Sequence, residues 1–175
     1  SNMGANSGCS EWQTFWNQWA SVSASAPGVQ LIGGSTSSYS TSNDCTNPKI
    51  FLINTSASTL KITGNTYMCG MFIVASDTTI QMSGTVSLVG MILAMGTGSN
   101  IAYTGTSGTS NLVGKVIFKS NGSDSQKELY VKGNADVHFS SAGVGYALDA
   151  INNANAGGGS GGSGSLITSA WEETY

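Results

Sequence analysis

Between Leu60 and about Leu148 the chain alternates apolar and polar positions in a pattern that returns on itself. Four segments, Leu60-Lys-Ile-Thr-Gly64, Ile80-Gln-Met-Ser-Gly84, Ile101-Ala-Tyr-Thr-Gly105 and Leu129-Tyr-Val-Lys-Gly133, share one template of apolar, variable, apolar, polar, glycine. The first two copies run on alike to a second glycine, Gly70 or Gly90, which opens an apolar stretch, Met71-Phe-Ile-Val74 or Met91-Ile-Leu-Ala94. The third copy inserts three residues before Gly114 and Lys115-Val-Ile-Phe118, and the fourth lacks the second glycine. A repeat of about 20 residues, built of two short strands joined at glycines, predicts a solenoid whose coils bury their apolar faces only by stacking. Leucine-rich repeats share this period, but their asparagine ladder and helical half are missing here. The expected fold is therefore all-β: a short, right-handed, single-stranded parallel β-helix, about 19 Å tall for four layers of roughly 4.8 Å.

The second strand of each coil divides into columns. With Phe72, Ile92 and Val116, and Val74, Ala94 and Phe118, facing inward, alternation turns Met71, Ile73, Met91, Leu93 and Ile117 outward. That flank is apolar on both sides of its sheet and needs a cover. These five residues are candidate interface positions, either for another protein or for the one clear helix, which is the expected cover.

That helix spans residues 10–26 as an amphipathic cap, with its regular part at Ser10–Val22. Ser10 can cap it, Glu11 suits the positive end of its dipole, and Trp12, Phe15, Trp16 and Trp19 recur on one face. The aromatic stripe suits either a sugar-stacking platform or a plug for the solenoid, and the plug is the simpler expectation. Residues 1–9 read as a cloning remnant and irregular N-terminus, and 27–153 as the solenoid domain. Within it, Lys49-Ile-Phe-Leu-Ile53 is a buried strand leading into the repeats, and Thr106–Asn111 and Ser120–Glu128 read as loop insertions on one side. A Gly/Ser tract follows at 154–165, then a tail at 166–175 whose Leu166 and Trp171 suit docking on the body.

Composition narrows the function classes. The 175 residues include 6 Lys or Arg and 9 Asp or Glu, for a net charge of -3, and only 9% are charged, against an average near 25%. A nucleic-acid surface would carry clustered Lys and Arg, so nucleic acid is excluded as a partner. No apolar run reaches the roughly 18 residues that span a membrane, which leaves a membrane contact to a segment outside this sequence. Of three cysteines, Cys69 precedes Gly70 where later coils have Val89 and Val113, and it reads as a small core residue. Cys9 and Cys45 are the candidate disulfide, closing a loop worth roughly 4 kcal/mol and implying an oxidising compartment.

Chemistry is sparse. A β-helical polysaccharide lyase needs a cationic base beside acidic calcium ligands, and a hydrolase a carboxylate pair about 5–10 Å apart, yet there is no Arg and the acids are scattered. Asp136 and His138 share a strand face and form the one pair to watch, with a solvated face as the plainer account. One His and three unclustered Cys offer no metal spacing, and Gly157–Gly164 lacks the Lys of a phosphate loop. The expectation is no catalytic residue, no metal and no cofactor.

The glycine-apolar rungs Gly70-Met-Phe-Ile-Val74 and Gly90-Met-Ile-Leu-Ala94, with the ending Ser169-Ala-Trp-Glu-Glu173, resemble the C-terminal region of PilX-type proteins of type IV pilus biogenesis, over residues 48–175. The resemblance implies a minor pilin-like structural role in pilus assembly, aggregation or adhesion, with other pilin or surface proteins as partners. It also implies a periplasmic or cell-surface location and an anchoring helix in the precursor. A secreted β-helix adhesin that binds glycans, and a bactofilin-like polymer former, are the alternatives.

Overall fold

The computed structural model describes residues 17, 19–96, 100–119 and 129–157. It is a parallel β-solenoid flanked by a helix. The strands are β1 (Val29–Gly34), β2 (Ser38–Tyr39), β3 (Lys49–Thr55), β4 (Thr59–Val74), β5 (Thr79–Ala94), β6 (Asn100–Phe118) and β7 (Leu129–Phe139), followed by helix α1 (Ser141–Gly157). They form one sheet in the order β1-β3-β4-β5-β6-β7, with β2 beside β4. Every pairing is parallel, as stacking of successive coils demands.

The repeats stack in the register their sequence sets out. Leu60 pairs with Ile80, Ile80 with Ile101, and Ile101 with Leu129. The second glycines form their own column, Gly70 beside Gly90 beside Gly114, at φ of 142°, 143° and 147°. That backbone is rarely open to a residue with a Cβ. A Cβ on Gly90 would also lie 1.7 Å from the Gly70 carbonyl oxygen, and one on Gly114 1.7 Å from that of Gly90. Glycine is required twice over: the chain turns a corner, and each corner sits directly on the one below.

The insertion of the third copy is not a loop. It is absorbed inside β6 as a shift of register, between Met82 and Val86 on one side and between Gly105 and Ser110 on the other. Ser120–Glu128 lies outside the described residues.

Two apolar layers result. The interior holds Phe51, Ile62, Met68, Phe72, Val74, Met82, Leu88, Ile92 and Leu112, with Val116 and Phe118 packed against it; the rings of Phe51 and Phe72 stack at 5.1 Å. The outward columns form a second cluster of Ile50, Leu52, Met71, Ile73, Met91 and Leu93 with Trp19, Ala147, Ala150 and Ile151. The cover over this flank is thus largely α1, which sequence reading had left inside the solenoid domain. Full burial of one such side chain is worth about 1.5–3 kcal/mol. Four bare positions would forgo about 6 kcal/mol or more, comparable with a domain's whole stability. Met71, Ile73, Met91 and Leu93 are consequently internal rather than open to a partner, and Ile117 is half-buried beside them.

The start of α1 follows from the fourth copy's missing glycine. Phe139 occupies the place in register beside Gly114, and there the chain leaves the sheet. Ser140 caps the helix, its hydroxyl accepting from the Gly143 N–H at 3.3 Å. Gly143 then lets α1 approach: a Cβ there would stand 2.5 Å from the Val113 carbonyl oxygen. Ala147, Ala150 and Ile151 continue the small apolar face against the sheet.

Candidate functional site

The most constructed region outside the core is the segment between β2 and β3. In the coil below β4 it occupies the place that the middle of a long strand fills in later coils. Side chains replace the missing ladder. Asn43 donates its amide to the Cys69 carbonyl at 2.9 Å and accepts from the Cys69 N–H at 2.9 Å, so one side chain does the work of a strand neighbour. The Asn43 N–H donates to the Tyr67 carbonyl, and the Tyr67 N–H donates to the Ser42 hydroxyl, both at 3.0 Å. Asp44 then turns the chain, its Oδ1 accepting from the N–H groups of Thr46 at 3.0 Å and Asn47 at 3.1 Å. The hydrogen bond from the Thr46 hydroxyl, before all else, holds the exposed Asp44 carboxyl below its usual range.

A disulfide closes this arrangement, between Cys45 and Cys69. The expected Cys9–Cys45 bond is thereby overturned, because Cys45 is already used; Cys9 lies outside the described residues. Cys69 is wholly buried, as a core residue would be, but its thiol is spent on the crosslink. The physical reason is register: β4 carries Cys69 past the segment that Asn43 pins, and the Cα atoms come within 5.2 Å. A loop of 24 residues closed in this way contributes about 3.5 kcal/mol by the chain-entropy estimate. The Tyr67 hydroxyl lies 3.2 Å from Cys45 Sγ and donates, since a disulfide sulfur carries no proton. Burial pushes the Tyr67 phenol above its usual range, helped by Tyr146 and Asp44 nearby.

The other predicted positions separate. Trp19 is 4% exposed and packs with α1 against the outer columns, so it serves as part of the cover and not as a sugar platform. Trp12, Phe15 and Trp16 lie outside the described residues, as do the tract from residue 158 and the tail at 166–175. The N-terminal helical segment gives way to a turn at Ser21, just before the predicted end. Asp136 and His138 are both exposed, two apart on β7, which is the solvated strand face. Among the described residues no group of three His, Cys, Asp or Glu could hold a metal ion, and no helix is long and apolar enough to cross a membrane.

Sequence reasoning missed the Cys45–Cys69 partnership. One signal pointed to it: Cys69 interrupts a column of valines, Val89 and Val113, at the level where the preceding coil is irregular. Comparison with sequence families, curated proteins and solved structures finds no match in any of the three.

Proposed function

We propose that this chain is a non-catalytic structural or adhesive component of a bacterial surface appendage, of the minor pilin-like kind its rungs resemble, working in the periplasm or at the cell surface. The observation that carries the reading is the Cys45–Cys69 crosslink. Disulfides persist where the surroundings oxidise, and this one fastens the irregular segment between β2 and β3 to the regular stack. A charge-poor, Ser/Thr-rich exterior around a doubly covered sheet suits a rigid, exposed building block better than a site for chemistry. Other pilin or surface proteins are the partners this reading supplies, and an anchoring segment in the precursor would be its membrane contact.

The test is made on the native protein. Appendages are sheared from source cells, separated from membrane and medium, and the mature N-terminus of this protein is read by mass spectrometry. An apolar helix beginning with a methylated residue, recovered in appendage or inner-membrane fractions, is the expected result. A signal-peptidase end recovered only in the medium refutes the pilin-like role and leaves a secreted adhesin.

A further inference from the structure

The two ends of the stack differ. At the first end β1 lies over β3 with Ile32 only 2% exposed. Tyr39 of β2 packs onto the interior beside Ile62, and the Asn43 clamp and the disulfide hold the rest. At the other end β7 pairs only with β6, and among the described residues nothing lies over it. Its inward positions show the consequence. Val131 continues the column of Ile62 and Met82, both 0% exposed, yet is itself 44% exposed. Val137 continues the column of Met68, Leu88 and Leu112 and is half-buried where those are wholly buried. Phe139, at the strand's end, is 76% exposed.

An open parallel edge above an uncovered apolar interior is the kind of surface that pairs with another chain. We infer that the β7 end is a two-fold interface at which a second copy of this chain stacks, β7 against β7, antiparallel. The occupant is argued from the geometry of the coil. A copy turned about an axis through the corner at Gly133 and Asn134 presents the same outline, interior against interior, and buries both open ends at once. Centring that axis on Asn134 sets Val131 opposite Val137 and Leu129 opposite Phe139. It also sets Asp136 opposite position 132, a lysine, so the charges along the two strands are complementary rather than opposed. The contact uses the same end of both copies, so association stops at a closed dimer instead of running on as a filament. This goes beyond the appendage reading and does not depend on it.

Sedimentation velocity of the full chain tests the inference. At tens of micromolar the protein is expected to sediment as a dimer, at twice the 17.9 kDa chain mass. Val131→Lys is expected to halve that mass, and so is Phe139→Lys, whose exposed position leaves folding intact as checked by far-ultraviolet circular dichroism. Leu31→Lys on β1, also 44% exposed but at the opposite end of the sheet, is expected to leave the dimer unchanged. A wild-type chain that is monomeric at 100 micromolar overturns the proposal, whether residues 166–175 or a different protein cover the β7 end. Species larger than a dimer that Leu31→Lys abolishes overturn it as well, in favour of head-to-tail stacking.

Discussion

Replacing Gly90 by alanine should cost this fold at least twice what the same change costs at Gly64, although both glycines have positive φ. At Gly64, with φ of 79°, a Cβ would meet nothing within 4 Å. The cost there is the backbone strain alone, about 1–2 kcal/mol. At Gly90 the strain is joined by a collision: the added carbon would sit 1.7 Å from the Gly70 carbonyl oxygen and 2.8 Å from its carbon. Those atoms are backbone and cannot rotate aside, so the two coils must part locally and stretch the ladder between β4 and β5. Losing about two of those hydrogen bonds at about 1 kcal/mol each, on top of about 1–3 kcal/mol of strain, gives about 4 kcal/mol. That is a large share of the 5–15 kcal/mol typical of a domain. Urea unfolding of the two variants under oxidising conditions, followed by circular dichroism, measures the difference. Equal losses for Gly64→Ala and Gly90→Ala would refute the claim that the glycine column exists for close stacking.

The remaining predictions concern the clamp and the cover. Replacing both Cys45 and Cys69 by alanine, or reducing the wild type, should lower stability by about 3.5 kcal/mol with the β spectrum retained, read as a shift in thermal midpoint. Asn43→Ala removes two hydrogen bonds to the Cys69 backbone and should cost about 2 kcal/mol, with faster amide exchange at Cys69 as its local signature. Gly143→Ala should destabilise, against the gain of about 1 kcal/mol that this change usually brings to a helix, because its Cβ would press on Val113 and Gly114; urea midpoints decide the sign. Asp44 has a folded pKa below its unfolded value, so its contribution is present above the ordinary carboxylate range and fades as pH falls below about 3.8. Protection of the Thr46 and Asn47 amides, taken as their exchange rates relative to the intrinsic rate at each pH, should fall through that window in wild type and stay level in Asp44→Asn.

The regular part of the molecule could be read from the chain because its physics is local and repeated. Gly70, Gly90 and Gly114 recur at the same offset from an apolar run, and a corner that must be glycine leaves the same mark in every coil. The division of Met71, Ile73, Met91 and Leu93 from Phe72, Val74 and Ile92 followed from alternation alone. The helix α1 did not announce itself, since its packing face is mostly Gly143, Ala147, Ala150 and Ala154, with Ile151 and the half-buried Leu148 as its larger residues. Small residues give little apolar periodicity, yet they are what a helix needs to lie against a flat sheet. The disulfide was misassigned for a related reason. Pairing Cys45 with Cys69 depends on which strand position the segment at 42–45 occupies, and that is settled by long-range register, which spacing along the chain does not contain.

Both departures fall at the ends of the repeat, where the template stops instructing the chain. Before the first full coil, the missing strand is replaced by Asn43, Ser42 and a covalent bond, and the place is stapled. After the last, Phe139 stands where a glycine corner would be, and the chain leaves as α1 to cover the outer columns. It returns along the stack until Ala154 meets Gly28, 3.3 Å from where that glycine's Cβ would be. The helix therefore ties the last coil to the first and stiffens the stack along its length. It does so along the flank, and among the described residues β7 has only β6 beside it, with Val131 and Phe139 exposed.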